Sequence, residues 1–262
     1  MNAAHARSYL SVTEQPGQPA SRIQLEMLEA RYAWAADQAS GKDVLEAGCG
    51  AGMGLPVLAD VARSVQAGDV DPENLRAARA ACTGYSNVTL REFHAEELPF
   101  PEESFDLVLL FEAIYYVPDI GRFLEETQRV LRPGGTLLIV TVNPEWSGFN
   151  PSPLRTRYWS AADLRTALRQ GGFAAGVQGA FPETAGCTSS AIGLVRRAAV
   201  GLNLVPRTMQ GKALLKRIFY GRLEAIPQLA GASSLRPRLE ELDAAGSRNH
   251  RVLYATARKD NG

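Results

Sequence analysis

The sequence predicts an α/β protein with a mostly parallel β-sheet and helices on both faces. Short apolar runs alternate with helical segments from Asp43 onward, which is typical of βαβ units. Two of these runs, FDLVLLF at 105–111 and TLLIVTV at 136–142, are continuously apolar, as strands buried on both faces are. The earliest predicted strand, at 43–47, leads into a glycine-rich turn. In such sheets, ligands bind at the carboxyl ends of the strands.

Seven runs are predicted as strands: 43–47, 64–68, 88–93, 105–111, 136–142, 173–181 and 252–257. Five segments are predicted as helices: 21–38, 57–62, 72–82, 120–131 and 160–170. Ser21 and Ser160 are suitable N-caps, and Pro72 suits a first helical turn. Gly171 and Gly172 end the last of these helices, and the turn cluster RPGG at 132–135 ends the one before it.

The chain divides into four predicted segments. Residues 1–40 form an N-terminal lid segment and helix, 41–182 a ligand-binding core, 183–250 an inserted helical cap, and 251–262 the final core strand and tail. The cap is predicted because its apolar stretches, such as KALLKRIFYGRLEAIP, do not follow the alternation of strands and helices.

Composition excludes several classes of protein. The 28 Lys and Arg balance the 28 Asp and Glu, so no overall field attracts nucleic acid. No apolar run is long enough to span a membrane, and no signal peptide is evident, which predicts a cytoplasmic protein. The three cysteines form no CxxC pair and the three histidines are scattered, so we expect no disulfide framework and no metal.

The glycine-rich turn VLEAGCGAGMG is the first candidate site. Gly48, Gly50 and Gly52 allow the backbone to turn sharply and to approach a ligand closely. Met53 occupies the third glycine position of the GxGxxG dinucleotide fingerprint. Glu46 would repel a pyrophosphate but can accept hydrogen bonds from an amino group. The alternative is a turn that is rich in glycine for packing alone.

A second acidic side chain follows the second predicted strand. Asp69 lies 19 residues after Gly50, where a carboxylate accepts hydrogen bonds from both ribose hydroxyls. Val70 can pack on an adenine face. Asp71 fits a helix-capping role better, because it precedes Pro72.

Four stretches in this order resemble the successive motifs of the class I S-adenosylmethionine (SAM)-dependent methyltransferases: VLEAGCGAGMG, GDVDPENL, AEELPFPEESFDLVLL and FLEETQRVLRPGGTLLIV. The resemblance covers about residues 42–143. It implies a Rossmann-like sheet of seven strands with the last strand antiparallel, and SAM as the cofactor. It also implies that Glu46 and the glycine loop, Cys49 included, surround the methionine part of SAM, and that Asp69 holds the ribose.

The resemblance places the loop after the third core strand at the adenine. His94 occupies a position where many relatives carry Asp, which puts the side-chain contact in question. A neutral His94 can accept from the adenine amino group, and the Ala95 backbone can serve the ring nitrogen, with Glu96 adjacent. A surface histidine is the alternative.

The end of the fourth core strand is expected to face both the methyl donor and the acceptor. Phe111, Tyr115 and Tyr116 are predicted to offer aromatic faces to the sulfonium. Glu112 is predicted to orient or deprotonate an acceptor hydroxyl or amine. The alternative for the two tyrosines is packing beneath the next helix.

Further residues are predicted at the substrate and lid. The aromatic and amide side chains after the fifth core strand suit a pocket wall: Trp146, Phe149, Asn150 and Tyr158. An ordered surface loop is the alternative. Tyr9 and Arg31 are predicted to close over the cofactor, with Arg31 at the SAM carboxylate.

The predicted acceptor is a small metabolite or natural-product intermediate. Residues 185–251 hold eleven Lys and Arg against four Asp and Glu, which favours an acidic acceptor or simply the solvated face of amphipathic helices. Stable membrane insertion and nucleic-acid binding are not expected, and a homo-oligomer is left open. Two other functions stay open: an NAD-dependent oxidoreductase or nucleotide-sugar enzyme on the same sheet, and a non-catalytic scaffold.

Overall fold

A central sheet organises the protein. The computed structural model describes Tyr9 and residues 12–152, 154–183, 223–231, 233–242 and 246–261. Over this part of the chain the strands are β1 (Pro19–Ser21), β2 (Asp43–Ala47), β3 (Ser64–Asp69), β4 (Val88–Glu92), β5 (Phe105–Phe111), β6 (Leu131–Val142), β7 (Phe173–Pro182), β8 (Leu223–Ala225), β9 (Glu240–Glu241) and β10 (His250–Lys259).

Eight of these strands form the main sheet in the order β4-β3-β2-β5-β6-β10-β7-β9. Strands β2 to β6 pair in parallel, whereas β10 pairs antiparallel with both β6 and β7. The predicted mostly parallel sheet with an antiparallel last strand is therefore confirmed. The eighth strand is β9, a two-residue addition to the edge of the seven predicted strands.

The helices over the described residues are α1 (Arg22–Ala39), α2 (Leu55–Ala59), α3 (Pro72–Ala81), α4 (Ile120–Val130) and α5 (Ala161–Gln170). The chain caps three of them with its own side chains. Asp71 accepts a hydrogen bond from the Glu73 amide at 2.9 Å, and Ser160 accepts from the Asp163 amide at 3.1 Å. Asp119 caps α4 in the same way. Ile114–Tyr116 forms one turn of 3₁₀ helix directly after β5.

Several element boundaries differ from the predictions, most of them by one or two residues; β10, for example, extends beyond the predicted 252–257 at both ends. Helix α2 begins at Leu55 rather than at residue 57, because Pro56 suits a first helical turn. Strand β6 begins at Leu131 and includes the predicted turn cluster 132–135. The pairing of β5 with β6 shifts register there, from Phe105 opposite Leu131 to Leu107 opposite Thr136. The extra residues form an irregularity within β6 instead of a separate turn.

The predicted cap differs more. Its described residues, 183, 223–231, 233–242 and 246–250, contain no helix; they contribute the short strands β8 and β9, the first residue of β10 and segments without regular secondary structure. Strand β8 pairs antiparallel with β1, so the returning end of the insertion binds the N-terminal segment. Most of the apolar stretch that predicted the cap lies in 184–222, outside the described residues. The division of the chain at 182 and 250 stays a prediction.

Apolar side chains pack on both faces of the sheet. Leu28, Leu58 and Leu75 bring α1, α2 and α3 against one face, and Phe123 and Leu164 bring α4 and α5 against the other. This packing holds the carboxyl ends of β2, β3 and β5 in fixed relative positions. No helix among the described residues combines the length and apolarity that a membrane crossing requires.

Candidate active site

A large cavity opens at the carboxyl ends of the parallel strands. Its volume is about 1070 Å³, at the upper end of the range for small-molecule sites, so it can hold two ligands together. Sixteen of the twenty predicted site residues line it: Tyr9, Arg31, Gly48, Cys49, Gly50, Asp69, Val70, His94, Ala95, Glu96, Phe111, Glu112, Tyr115, Tyr116, Trp146 and Asn150. The other four predicted residues do not line the cavity: Glu46, Gly52, Phe149 and Tyr158.

The glycine loop requires glycine at its turns. Gly48 and Gly50 have φ angles of 70° and 54°, in the left-handed region. A Cβ on Gly48 would lie 2.9 Å from the Cβ of Ala113, and one on Gly50 would lie 2.8 Å from Thr13. Gly52 serves packing instead, because a Cβ there would lie 2.9 Å from Ala78 on α3. The loop therefore exposes bare backbone to the cavity.

Asp69 ends β3 beside this loop. Its carboxylate accepts hydrogen bonds from the amides of Gly50 and Asp71, each at 2.9 Å, and from the Asn74 side chain at 3.3 Å. Burial raises the pKa of Asp69, while these hydrogen bonds oppose the rise. A carboxylate has about four acceptor positions, so capacity for a ligand hydroxyl remains. Asn74 was not predicted, because an asparagine inside a helix gives no local signal.

Glu46 is buried beneath the glycine loop. The Tyr32 hydroxyl donates to its Oε1 atom at 2.7 Å, whereas Oε2 has no hydrogen-bond partner among the described residues. Burial raises the pKa of Glu46 to about 7, against the lowering effect of the Tyr32 hydrogen bond. A buried oxygen without a partner is costly unless a ligand or water satisfies it.

Glu112 directly follows the end of β5. Its backbone lies in the left-handed region at φ 49°, which is uncommon for a residue with a side chain and is found at functional sites. The Tyr115 hydroxyl donates to its carboxylate at 3.1 Å. Burial raises the pKa of Glu112 to about 7, although the nearby Arg31 lowers it. A carboxyl group with this pKa can accept a proton near neutral pH.

Arg31 has a protein partner. The guanidinium of Arg31 pairs with the carboxylate of Glu14, which the N-terminal segment carries into the cavity wall. The predicted contact of Arg31 with a cofactor carboxylate therefore competes with an internal ion pair. Sequence reasoning missed Glu14, since nothing local connects it with a residue 17 positions later.

The N-terminal segment covers the cavity. The Tyr9 amide donates to Asp71 at 2.8 Å, and the Tyr9 ring lies edge-on to Tyr116 with 5.2 Å between centroids. The Tyr116 hydroxyl in turn hydrogen-bonds with the Ser152 hydroxyl at 3.1 Å. The side-chain amide of Asn74 on α3 donates a hydrogen bond to the Thr13 hydroxyl of the N-terminal segment at 3.2 Å.

Tyr115 packs against a second aromatic side chain, that of Tyr158, with 5.1 Å between the ring centroids. Tyr158 lies behind Tyr115, and its hydroxyl accepts a hydrogen bond from the Ser152 amide at 2.6 Å. Phe149 packs edge-on against Tyr158, with centroids 4.6 Å apart. Of the four predicted substrate residues, Trp146 and Asn150 therefore line the cavity, whereas Phe149 and Tyr158 support Tyr115 from behind.

The predicted adenine loop reaches the cavity edge. His94 is exposed there, and its carbonyl accepts a hydrogen bond from the Glu97 amide at 3.0 Å. Ala95 and Glu96 are half-buried beside it. Among the residues that the structure describes, no group of three or more His, Cys, Asp and Glu side chains could hold a metal ion.

Comparisons with known proteins agree with this geometry. Residues 45–139 match the family described as a methyltransferase domain. A probable S-adenosylmethionine-dependent methyltransferase from Mycolicibacterium smegmatis is 40% identical over 151 residues, which cover 55% of this chain and 57% of that protein. A ubiquinone biosynthesis O-methyltransferase from a Bradyrhizobium species is 35% identical over 111 residues, covering 42% of this chain and 44% of that protein.

A solved structure extends the likeness over most of the chain. The 4+2 cyclase SpnF is 21% identical, with a TM-score of 0.59 over 95% of this chain and 86% of that one. At this identity the likeness shows the fold alone. The match of residues 45–139 to the methyltransferase domain, together with the names of the relatives, confirms the resemblance to the class I SAM-dependent methyltransferases. The chain spans little more than half the length of the first curated relative.

Proposed function

We propose that this chain is a SAM-dependent methyltransferase that transfers a methyl group to an oxygen or nitrogen atom of a small-molecule acceptor. One observation carries the proposal: a single cavity joins the bare glycine loop and Asp69 to the buried carboxyl group of Glu112. The first two suit an adenosyl cofactor and the third suits an acceptor. The name of the Bradyrhizobium relative, an O-methyltransferase, favours a hydroxyl oxygen.

The residues present fit SAM. Asp69 retains acceptor capacity for ribose hydroxyls, and Gly48 and Gly50 leave room for the methionine part. The unpartnered Oε2 of Glu46 suits an amino group, directly or through water. The same carboxylate disfavours the pyrophosphate of NAD, which argues against the oxidoreductase alternative.

The residues around Glu112 suit proton removal. SAM would supply a methyl group on a sulfonium, from which the neutral thioether S-adenosylhomocysteine is a good leaving group. As the oxygen of the acceptor hydroxyl forms its bond to the methyl carbon, the proton of that hydroxyl passes to the Glu112 carboxylate. The Tyr115 hydroxyl orients the Glu112 carboxylate through the 3.1 Å hydrogen bond. Tyr9, Tyr116 and Trp146 line the cavity and exclude water from the reacting groups.

Calorimetric titration with S-adenosylhomocysteine and with NAD tests the cofactor assignment. We expect binding of S-adenosylhomocysteine and none of NAD. Transfer of a labelled methyl group from SAM to a panel of phenols, alcohols and amines then tests the reaction. Absence of binding to S-adenosylhomocysteine would refute the whole proposal. Binding without transfer to any acceptor would instead favour a scaffold or another reaction on the same fold.

A further inference from the structure

The described residues of the segment that returns from the insertion, 223–231 and 233–236, are attached to the cofactor side of the fold. Its backbone exchanges two hydrogen bonds with the N-terminal segment, from Ile226 to the Gln18 carbonyl and from Gly17 to the Ile226 carbonyl, each at 2.9 Å. Farther along, Arg236 forms a two-fold ion pair with Asp37 on α1, at 2.5 and 2.7 Å. The segment is therefore fixed at both ends.

Gln228 lies between these two attachments and contacts the glycine loop. Its side-chain Nε2 donates to the carbonyls of Gly52 at 3.3 Å and Met53 at 3.1 Å. The neighbouring Ile226 and Leu229 are buried in the core, which holds the Gln228 side chain against the loop. A carboxamide has two N–H donors, so it can serve both carbonyls at once.

The hydrogen bonds from Gln228 restrict the backbone of the glycine loop. Three glycines of the loop occupy the left-handed region, and glycine loses more conformational freedom on ordering than any other residue. Asp69 fixes one side of the loop through the Gly50 amide. Gln228 fixes the opposite side through the carbonyls of Gly52 and Met53. With both sides held, the backbone at the cavity is ordered before a ligand arrives, which reduces the entropy that binding costs.

We propose that Gln228 is a positioning residue for cofactor binding, tying the returning end of the insertion to the glycine loop. This inference rests on the proposed function. The side chain does not line the cavity, so it acts through the loop and not by touching the ligand.

Two variants at one position and one control test the proposal. Gln228→Glu keeps the size of the side chain but presents an acceptor to two carbonyls, and Gln228→Ala removes the side chain. Arg122→Ala breaks an exposed ion pair with Glu125 on α4, outside the cavity lining and the Gln228 segment, and serves as the control. For each protein, calorimetry gives the Kd of S-adenosylhomocysteine, thermal unfolding gives the midpoint without ligand, and hydrogen exchange reports on residues 48–55.

We expect both Gln228 variants to bind S-adenosylhomocysteine about tenfold more weakly, the scale of one or two lost hydrogen bonds. Hydrogen exchange at residues 48–55 should be faster in these variants, and Arg122→Ala should match the wild type in affinity and in exchange there. Unchanged affinity in Gln228→Glu overturns the inference, as does an equal loss of affinity in Arg122→Ala that follows the unfolding midpoint. Failure of the wild type to bind would refute the proposed function instead.

Discussion

Glu46 gives the most quantitative prediction, because its carboxyl group is buried and one of its oxygens has no partner among the described residues. Glu46→Gln keeps an oxygen that can accept the Tyr32 hydroxyl and removes the titration. Burial raises the pKa of Glu46 from 4.5 to about 7 in the folded protein. The stability linked to this group is therefore fully present below pH 4.5 and is lost as the pH rises through about 7.

The rise in the pKa of Glu46 sets the size of the expected change in unfolding free energy. A rise of about 2.5 pKa units corresponds to about 3 kcal/mol over the full titration, of which about 2.5 kcal/mol falls between pH 5 and pH 8. Over that interval the wild type should lose this amount of unfolding free energy relative to Glu46→Gln. Other titrating groups, including Glu112, are common to both proteins and cancel in the comparison.

Urea unfolding of both proteins without ligand, at about pH 5 and about pH 8, measures the difference. A Tyr32→Phe variant is the matched control, since it removes the hydrogen bond that lowers the Glu46 pKa and should enlarge the loss. If the stability difference between wild type and Glu46→Gln is the same at both pH values, Glu46 does not titrate in this range and the argument from burial is wrong.

Three further changes probe the site. Asp69→Ala should weaken S-adenosylhomocysteine binding by about 1–3 kcal/mol, the scale of hydrogen bonds to a charged group, while the exposed Glu73→Gln leaves calorimetric affinity unchanged. Once an acceptor is known, the wild-type rate should rise with pH through about 7 as Glu112 loses its proton, and Glu112→Gln should be about 10²-fold slower without that rise. Tyr158→Phe should lower the unfolding free energy by about 1 kcal/mol through loss of the Ser152 hydrogen bond, with cofactor Kd unchanged.

The sequence predicted the core because its signals are local. Strands β2 and β5 have the predicted bounds, since continuous apolar runs identify buried strands without reference to distant residues. The loops that form the site were predicted together for a related reason: parallel strands bring their carboxyl ends to one edge, so Asp69 and Glu112 had to meet there.

The short strands could not be predicted in this way. Strands β1, β8 and β9 contain three, three and two residues, too few for a repeating pattern. Each exists because of a partner far away in the chain, as when Ala20 pairs with Glu224. The same limit applies to side chains. Phe149 and Tyr158 are aromatic, as the residues of a pocket wall often are. In the folded protein Tyr158 packs against Tyr115 and Phe149 packs against Tyr158, and neither lines the cavity.

The pairing of Arg31 shows what such distant partners do for the site. A buried guanidinium is strongly unfavourable without a counter-charge, so Arg31 requires one whether or not a ligand is present. Glu14 supplies it from the segment that covers the cavity, which couples closure of that segment to the charge balance beside Glu112. The two arginines that line the described cavity, Arg31 and Arg251, thus each have a carboxylate partner within the fold, Glu14 and Glu183 respectively.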